Sequence, residues 1–193
     1  MKNAIVALSV LAALSLSENA MAYSKGDHIL KGGMNISDPS VLVDIKGISS
    51  EISFAASYGY MVTDHLSLEI AATTPSKYEF EKLFDIKKST YTAMVNYHFG
   101  DVENDFRPYA GFGLAYVDLS GDLLPGDRFF ETEISGGFGG AVQIGMDWQI
   151  TDNLIAGFNT KVTATEYELK NMLMKKTDTF GDVSATIHIG YNF

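Results

Sequence analysis

Histidine, serine and acidic side chains are the groups in this sequence that could do chemistry, and few of them stand at useful spacings. Hydrolysis of an ester or amide by a serine needs a histidine to take its proton and an acid to orient that histidine. His65-Leu66-Ser67 puts two of these types two residues apart, on one face of an extended chain. The pair follows the turn-forming run Val62-Thr63-Asp64, and the simpler reading is a polar turn. A metal site at His98 or His188 would need further ligands brought close, and no H-E-x-x-H motif is present, so no metal site is expected. Gly136, Gly137, Gly139 and Gly140 precede an extended run and not a helix. That excludes a phosphate cradle and leaves relief of crowding in a tightly curved wall. The expectation is a chain with no enzyme activity and no cofactor.

What remains is a set of polar side chains inside extended runs: Lys31, Glu51, Glu69, Gln143, Asp147, Asn159, Lys161 and His188. The elements that carry them are strands, because apolar and polar residues alternate with a period of two. In the last run Val183, Ala185, Ile187, Ile189, Tyr191 and Phe193 alternate with Ser184, Thr186, His188, Gly190 and Asn192. The same pattern runs from Glu51 to Tyr60, Leu66 to Thr73, Tyr91 to Phe99, Phe138 to Ile150 and Leu154 to Thr165. Weaker members run from His28 to Ile36 and from Arg107 to Asp118, which makes eight. Such alternation sends the two sets to opposite faces, and the small-polar set is present every time.

The composition agrees. The chain has 193 residues with 14 basic and 24 acidic, a formal charge of −10, which argues against a nucleic-acid partner. With no cysteine there is no disulfide framework, while 18 glycines, 12 phenylalanines and 10 tyrosines suit strands with aromatic packing. Residues 1–22 read as a cleaved secretory signal: Lys2 gives a positive start, Ala4 to Leu16 is almost unbroken apolar sequence, and Ala20-Met21-Ala22 offers a cleavage site. The apolar run is shorter than the roughly 20 residues a membrane helix needs. Residues 23–193 then form one domain, and any membrane span in it must be a closed barrel, since lipid cannot satisfy open sheet edges.

The connectors alternate in length. Val62 to His65, Gly100 to Phe106 and Thr151 to Asn153 are short, whereas Ser37 to Ser50, Thr74 to Lys87, Leu119 to Ser135 and Glu168 to Gly181 are long. Short periplasmic turns, longer outer loops and an even strand number are the plan of an outer-membrane barrel. The fold class expected is therefore an eight-stranded antiparallel transmembrane β-barrel in the cell outer membrane. Tyr60, Tyr97, Phe99, Trp148 and Tyr191 fall near its periplasmic ends on outward faces, as membrane-interface aromatics. Lys31, Glu69, Gln143, Asp147, Asn159, Lys161 and His188 face inward as a lumen plug, with charges of both signs placed to pair. The loops carry apolar clusters, and Leu42, Phe84, Leu124, Phe129, Phe130 and Leu173 could form an apolar mouth or extend and pack the strands above the membrane.

Several segments carry a family resemblance. They are Tyr60-Met61-Val62-Thr63-Asp64, Glu69 with Ala71-Ala72-Thr73-Thr74-Pro75, Tyr97-His98-Phe99-Gly100 and Phe106-Arg107-Pro108-Tyr109 with Gly111 and Gly113. Ala141 to Trp148 and the closing Gly190-Tyr191-Asn192-Phe193 complete the set. In that order, from about Gly59 to the end, the chain resembles the OmpW family of small outer-membrane β-barrel proteins. The resemblance implies a narrow, largely apolar channel for small hydrophobic molecules. It also implies that Ile189, Tyr191 and Phe193 are read by the barrel-insertion machinery. The partners expected are outer-membrane lipid and lipopolysaccharide, that machinery, and small hydrophobic solutes. The competing reading is a structural or adhesin-type surface barrel whose loops bind partners.

Overall fold

The computed structural model describes residues 23–38, 51–80, 84–123, 133–171 and 174–193. The expected signal segment 1–22 lies outside them, as do Leu42, Leu124, Phe129, Phe130 and Leu173 of the expected mouth. The described residues form ten strands: β1 (His28–Asp38), β2 (Glu51–Met61), β3 (Leu66–Thr73), β4 (Ser76–Phe80), β5 (Phe84–His98), β6 (Phe106–Leu123), β7 (Glu133–Ser135), β8 (Gly137–Gln149), β9 (Leu154–Asn171) and β10 (Met174–Asn192). All pairings are antiparallel, in the order β10, β1, β2, β3, β5, β6, β8, β9, and β9 pairs back to β10. The wall thus closes on itself with eight strand positions, because β4 continues β3 against β5 and β7 continues β8 against β9. Closure leaves no unpaired edge to face lipid.

Two irregularities mark those continuations. On the β3–β4 side Thr73, Thr74 and Pro75 stand opposite Ser89 and Thr90, between the pairs Ala72↔Tyr91 and Ser76↔Lys88. One extra residue on one strand is a β-bulge, and Pro75 could not have donated to the ladder in any case. Thr73 Oγ1 takes the Thr90 N–H at 3.0 Å instead, and the Thr74 N–H turns back to the Phe54 carbonyl at 2.8 Å. On the β7–β8 side residues 136–138 stand opposite 166–167. A Cβ on Gly139 would lie 1.9 Å from the Ala164 carbonyl and one on Gly136 equally close to that of Val117. Crowding in the curved wall accounts for those glycines.

The strands run further outward than their sequence pattern. β5 begins at Phe84, β6 reaches Leu123, β9 reaches Asn171 and β10 begins at Met174, so the expected loops Thr74 to Lys87 and Glu168 to Gly181 are largely paired strand, and strand enters the one from Leu119 to Ser135 at both ends. Phe84 belongs to the wall backbone, paired with Phe80 and Leu123, and not to a loop. Above the membrane both faces of a strand meet water, so alternation fades although the hydrogen-bond ladder continues.

Burial is inverted relative to a water-soluble protein. Ile187 is 73% exposed and Phe112 68%, whereas Asp147 is 1% exposed and Arg107 1%. The interior is thus the polar face. Tyr60, Tyr97, Phe99 and Tyr191 are exposed on the outside near the short turns, and Trp148 stacks on Phe106 with centroids 5.6 Å apart. Those turns are fixed by local hydroxyl bonds: Thr63 Oγ1 accepts from Leu66 N at 2.9 Å and Thr151 Oγ1 from Leu154 N at 3.1 Å.

Candidate functional site

Among the described residues, the lumen is where the fold concentrates buried polar side chains. Inward positions on each strand are fixed by parity, so Lys31, Glu69, Gln143, Asp147, Lys161 and His188 all point inside, as their alternation required. They do not form a single plug. At the periplasmic end Asp147 is the hub: its Oδ2 accepts from Lys31 Nζ at 2.7 Å and from the Tyr23 hydroxyl at 2.8 Å. Its Oδ1 accepts from His188 Nε2 at 2.8 Å. Gly157 makes the room, since a Cβ there would lie 2.6 Å from both Asp147 Oδ1 and His188 Nε2. Three donors satisfy a charge that would otherwise be costly to bury.

Tyr23 closes the mouth from below. The segment before β1 folds across the periplasmic end, with Gly26 N bonded to the Met61 carbonyl at 2.9 Å and Met61 N to that of Asp27 at 3.0 Å. Gly26 has φ 96°, a left-handed conformation that suits glycine. The Tyr23 ring packs with Ile29, Met61 and Ile155, and the Arg107 guanidinium lies over it 4.7 Å from the centroid. Arg107 also donates to the carbonyls of Tyr23 and Asp64. With the Tyr23 proton on Asp147, His98 donates from Nδ1 to the Tyr23 oxygen (3.0 Å) and accepts the Ser67 hydroxyl at Nε2 (2.9 Å). Ser67 therefore pairs with His98 and not with His65, which stacks on Tyr97 on the outside. Ser67 is 3% exposed and held in the plug.

Higher in the lumen, separate bars cross from wall to wall. Gln143 Nε2 donates to Asn96 Oδ1 at 2.6 Å and to Glu69 Oε1 at 3.2 Å. Lys161 Nζ on β9 donates to Thr92 Oγ1 on β5 at 3.0 Å. Lys88 on β5 and Asp182 on β10, four wall positions apart, pair at 2.6 Å with both side chains buried. Asn159 lines the same space. The cavity left between these bars is about 50 Å³ and is lined by small, hydroxyl, amide and charged residues.

A second concavity, about 580 Å³, lies on the lipid side and is lined by Leu30, Ile70, Ala93, Tyr91, Tyr116 and Phe138 among others. Sequence reading missed Tyr23, Arg107, Tyr109, Asn96 and the Lys88–Asp182 pair. Parity with Gly111 and His98 was the signal available for the strand residues, and Tyr23 offered none.

Among the described residues no cluster of three or more His, Asp or Glu side chains could hold a metal. A family model described as the OmpW family matches residues 31–193. Outer membrane protein W of Vibrio cholerae serotype O1 is 32% identical over 174 residues, covering 79% of this chain and 80% of that protein. Outer membrane protein W of Escherichia coli K12 is 25% identical over 166 residues, 78% of each chain. Among solved structures, the outer membrane protein OprG of Pseudomonas aeruginosa superposes with a TM-score of 0.74 at 21% identity, covering 91% of this chain and 99% of that one.

Proposed function

Because the chain belongs to the OmpW family and is an outer-membrane β-barrel, we propose that it is a passive channel for small hydrophobic molecules that releases them sideways into the bilayer. The observation that carries this reading is the pairing of a closed floor with a weakened wall. Tyr23, Asp147, Lys31 and Arg107 obstruct the periplasmic end with polar groups that an apolar solute would have to desolvate. The bulge at residues 73–75 interrupts the ladder between β3 and β5 higher up. Beside it, on the lipid side, lies the apolar groove. A solute entering from outside thus meets a polar barrier below and an apolar surface to the side.

The buried Ser67–His98 contact serves the plug in this reading, and the protein is not an enzyme. Its further partners are outer-membrane lipid, lipopolysaccharide and the insertion machinery, which would meet Ile189, Tyr191 and Phe193 on the exposed face of β10. The test is uptake of a small apolar compound and of a similar-sized sugar by cells with and without the protein, at matched folded-barrel abundance. Faster entry of the apolar compound alone supports the channel. No change in the entry of either compound overturns it in favour of a structural or partner-binding surface barrel. Unchanged apolar uptake after cross-linking β3 to β5 would count against the sideways exit.

A further inference from the structure

The lumen cavity and the lipid-side groove meet at one thin patch of wall: Ala56, Ser57, Ala71, Ala72 and Thr92 line both. The side chains that β2 and β3 present there are small, the ladder holds through Ala72↔Tyr91, and the bulge begins at the next residue. The two sides differ in chemistry and size. The inner space, about 50 Å³, lies among the buried ammonium and hydroxyl groups of the lumen, the surroundings that a carboxylate needs when it leaves water. The outer groove, about 580 Å³, has an almost wholly apolar lining, the surroundings that an alkyl chain needs.

One cation at this patch lacks the partner its neighbours have. Lys31 is paired with Asp147 at 2.7 Å and Lys88 with Asp182 at 2.6 Å. Lys161 reaches across the lumen to the neutral hydroxyl of Thr92, and no described carboxylate lies within 4.0 Å of its ammonium. Glu69 acts on it only from beyond that distance and accepts from Gln143. An ammonium inside a narrow barrel without an adjacent counter-charge is costly, and an arriving anion would relieve that cost. The Thr92 oxygen accepts from Lys161, which leaves its own O–H free to donate to the same anion.

We propose that Lys161 and Thr92 bind the carboxylate of an amphipath whose alkyl tail lies through the bulge in the lipid-side groove, making medium-chain alkanoates a solute class of this barrel. The path of the tail rests on the sideways-exit reading above; the head site rests on Lys161 and Thr92 alone. Octanoate and its methyl ester share a tail and differ in the charge that Lys161 would hold.

The purified full barrel in phosphatidylcholine nanodiscs is titrated with carboxyl-labelled octanoate followed by NMR, with protein-free discs as the baseline for partitioning. The expected result is saturable binding that methyl octanoate does not displace. Lys161→Met should abolish it, Lys161→Arg should retain it, and Thr92→Val should weaken it several-fold, each checked for folding by heat-modifiable mobility. If Lys161→Met does not fold, Lys161→Gln carries the same comparison. Absence of saturable binding by the unaltered barrel, or equal binding by the uncharged variant, overturns the proposal. Lost octanoate binding with intact uptake of a neutral apolar compound overturns this site alone. Intact octanoate binding without apolar uptake overturns the channel and leaves the site standing.

Discussion

His28 and Phe193 exchange both of their backbone hydrogen bonds, His28 N to the Phe193 carbonyl at 2.9 Å and Phe193 N to that of His28 at 3.0 Å. Their rings stack on the outer face with centroids 5.6 Å apart. The last residue of the chain thereby fastens the last strand to the first at the periplasmic rim. Phe193→Ala keeps the backbone pair but loses the ring contact, worth about 1 kcal/mol for an aromatic pair. Urea unfolding from lipid vesicles should show that loss, and His28→Ala combined with it should cost less than the sum of the two.

Asp147 answers three donors at once, so removing its charge strands the Lys31 ammonium in the lumen. Asp147→Asn should destabilise the barrel by about 3–5 kcal/mol, the range for breaking one side of a buried pair. Replacing both members, Lys31→Met with Asp147→Leu, should cost clearly less in the same urea measurement. A double variant as unstable as the single one would mean that Tyr23 and His188, not the ion pair, dominate the hub.

Gly157 and Gly140 provide an internal contrast. A Cβ on Gly157 would press on Asp147 Oδ1 and His188 Nε2, while one on Gly140 would meet nothing within 4 Å. Gly157→Ala should lower stability by about 1–3 kcal/mol through forced repacking. Gly140→Ala should be neutral or gain a few tenths, since alanine restricts the unfolded chain. Thermal mobility shifts on gels rank the two variants.

The bulge can be removed without touching the lumen. Deleting Pro75 leaves Thr73 and Ser76 two residues apart, which restores alternation and a donor for the ladder between β3 and β5. The barrel should fold and be at least as stable, and uptake of a small apolar compound should fall toward that of cells lacking the protein. Undiminished uptake through the repaired wall would mean that solutes leave elsewhere.

The strand pattern was legible where each face meets one constant medium. Ile187, Ile189 and Tyr191 face lipid and Thr186 and His188 face the lumen, and β10 reads cleanly there. Its outer part, from Met174 to Phe180, pairs residue by residue with β9 yet shows no such alternation, because no lipid selects its outward side chains. Parity also told which residues point inward. It could not tell which of them meet: Lys31 and Asp147 are 116 positions apart, and only closure of the wall brings them together. The bulge was hidden for a similar reason, although Pro75 and the odd spacing from Thr73 to Ser76 were its traces in the sequence. The inward polar residues were already in view in the sequence, whereas the channel's character was an expectation from family likeness alone.

The alternation that sorts side chains across the finished wall has another effect before any wall exists. Along the strands, most lipid-facing residues are followed by a small or polar one, and residues 23–193 hold no stretch of roughly 20 apolar residues of the kind that partitions into lipid as a helix. During export the unfolded chain carries enough apolar side chains to coat a barrel, yet it gives the inner membrane no segment to detain. Its affinity for lipid is dispersed along the chain and becomes concentrated only when strand pairing gathers every second residue onto one surface.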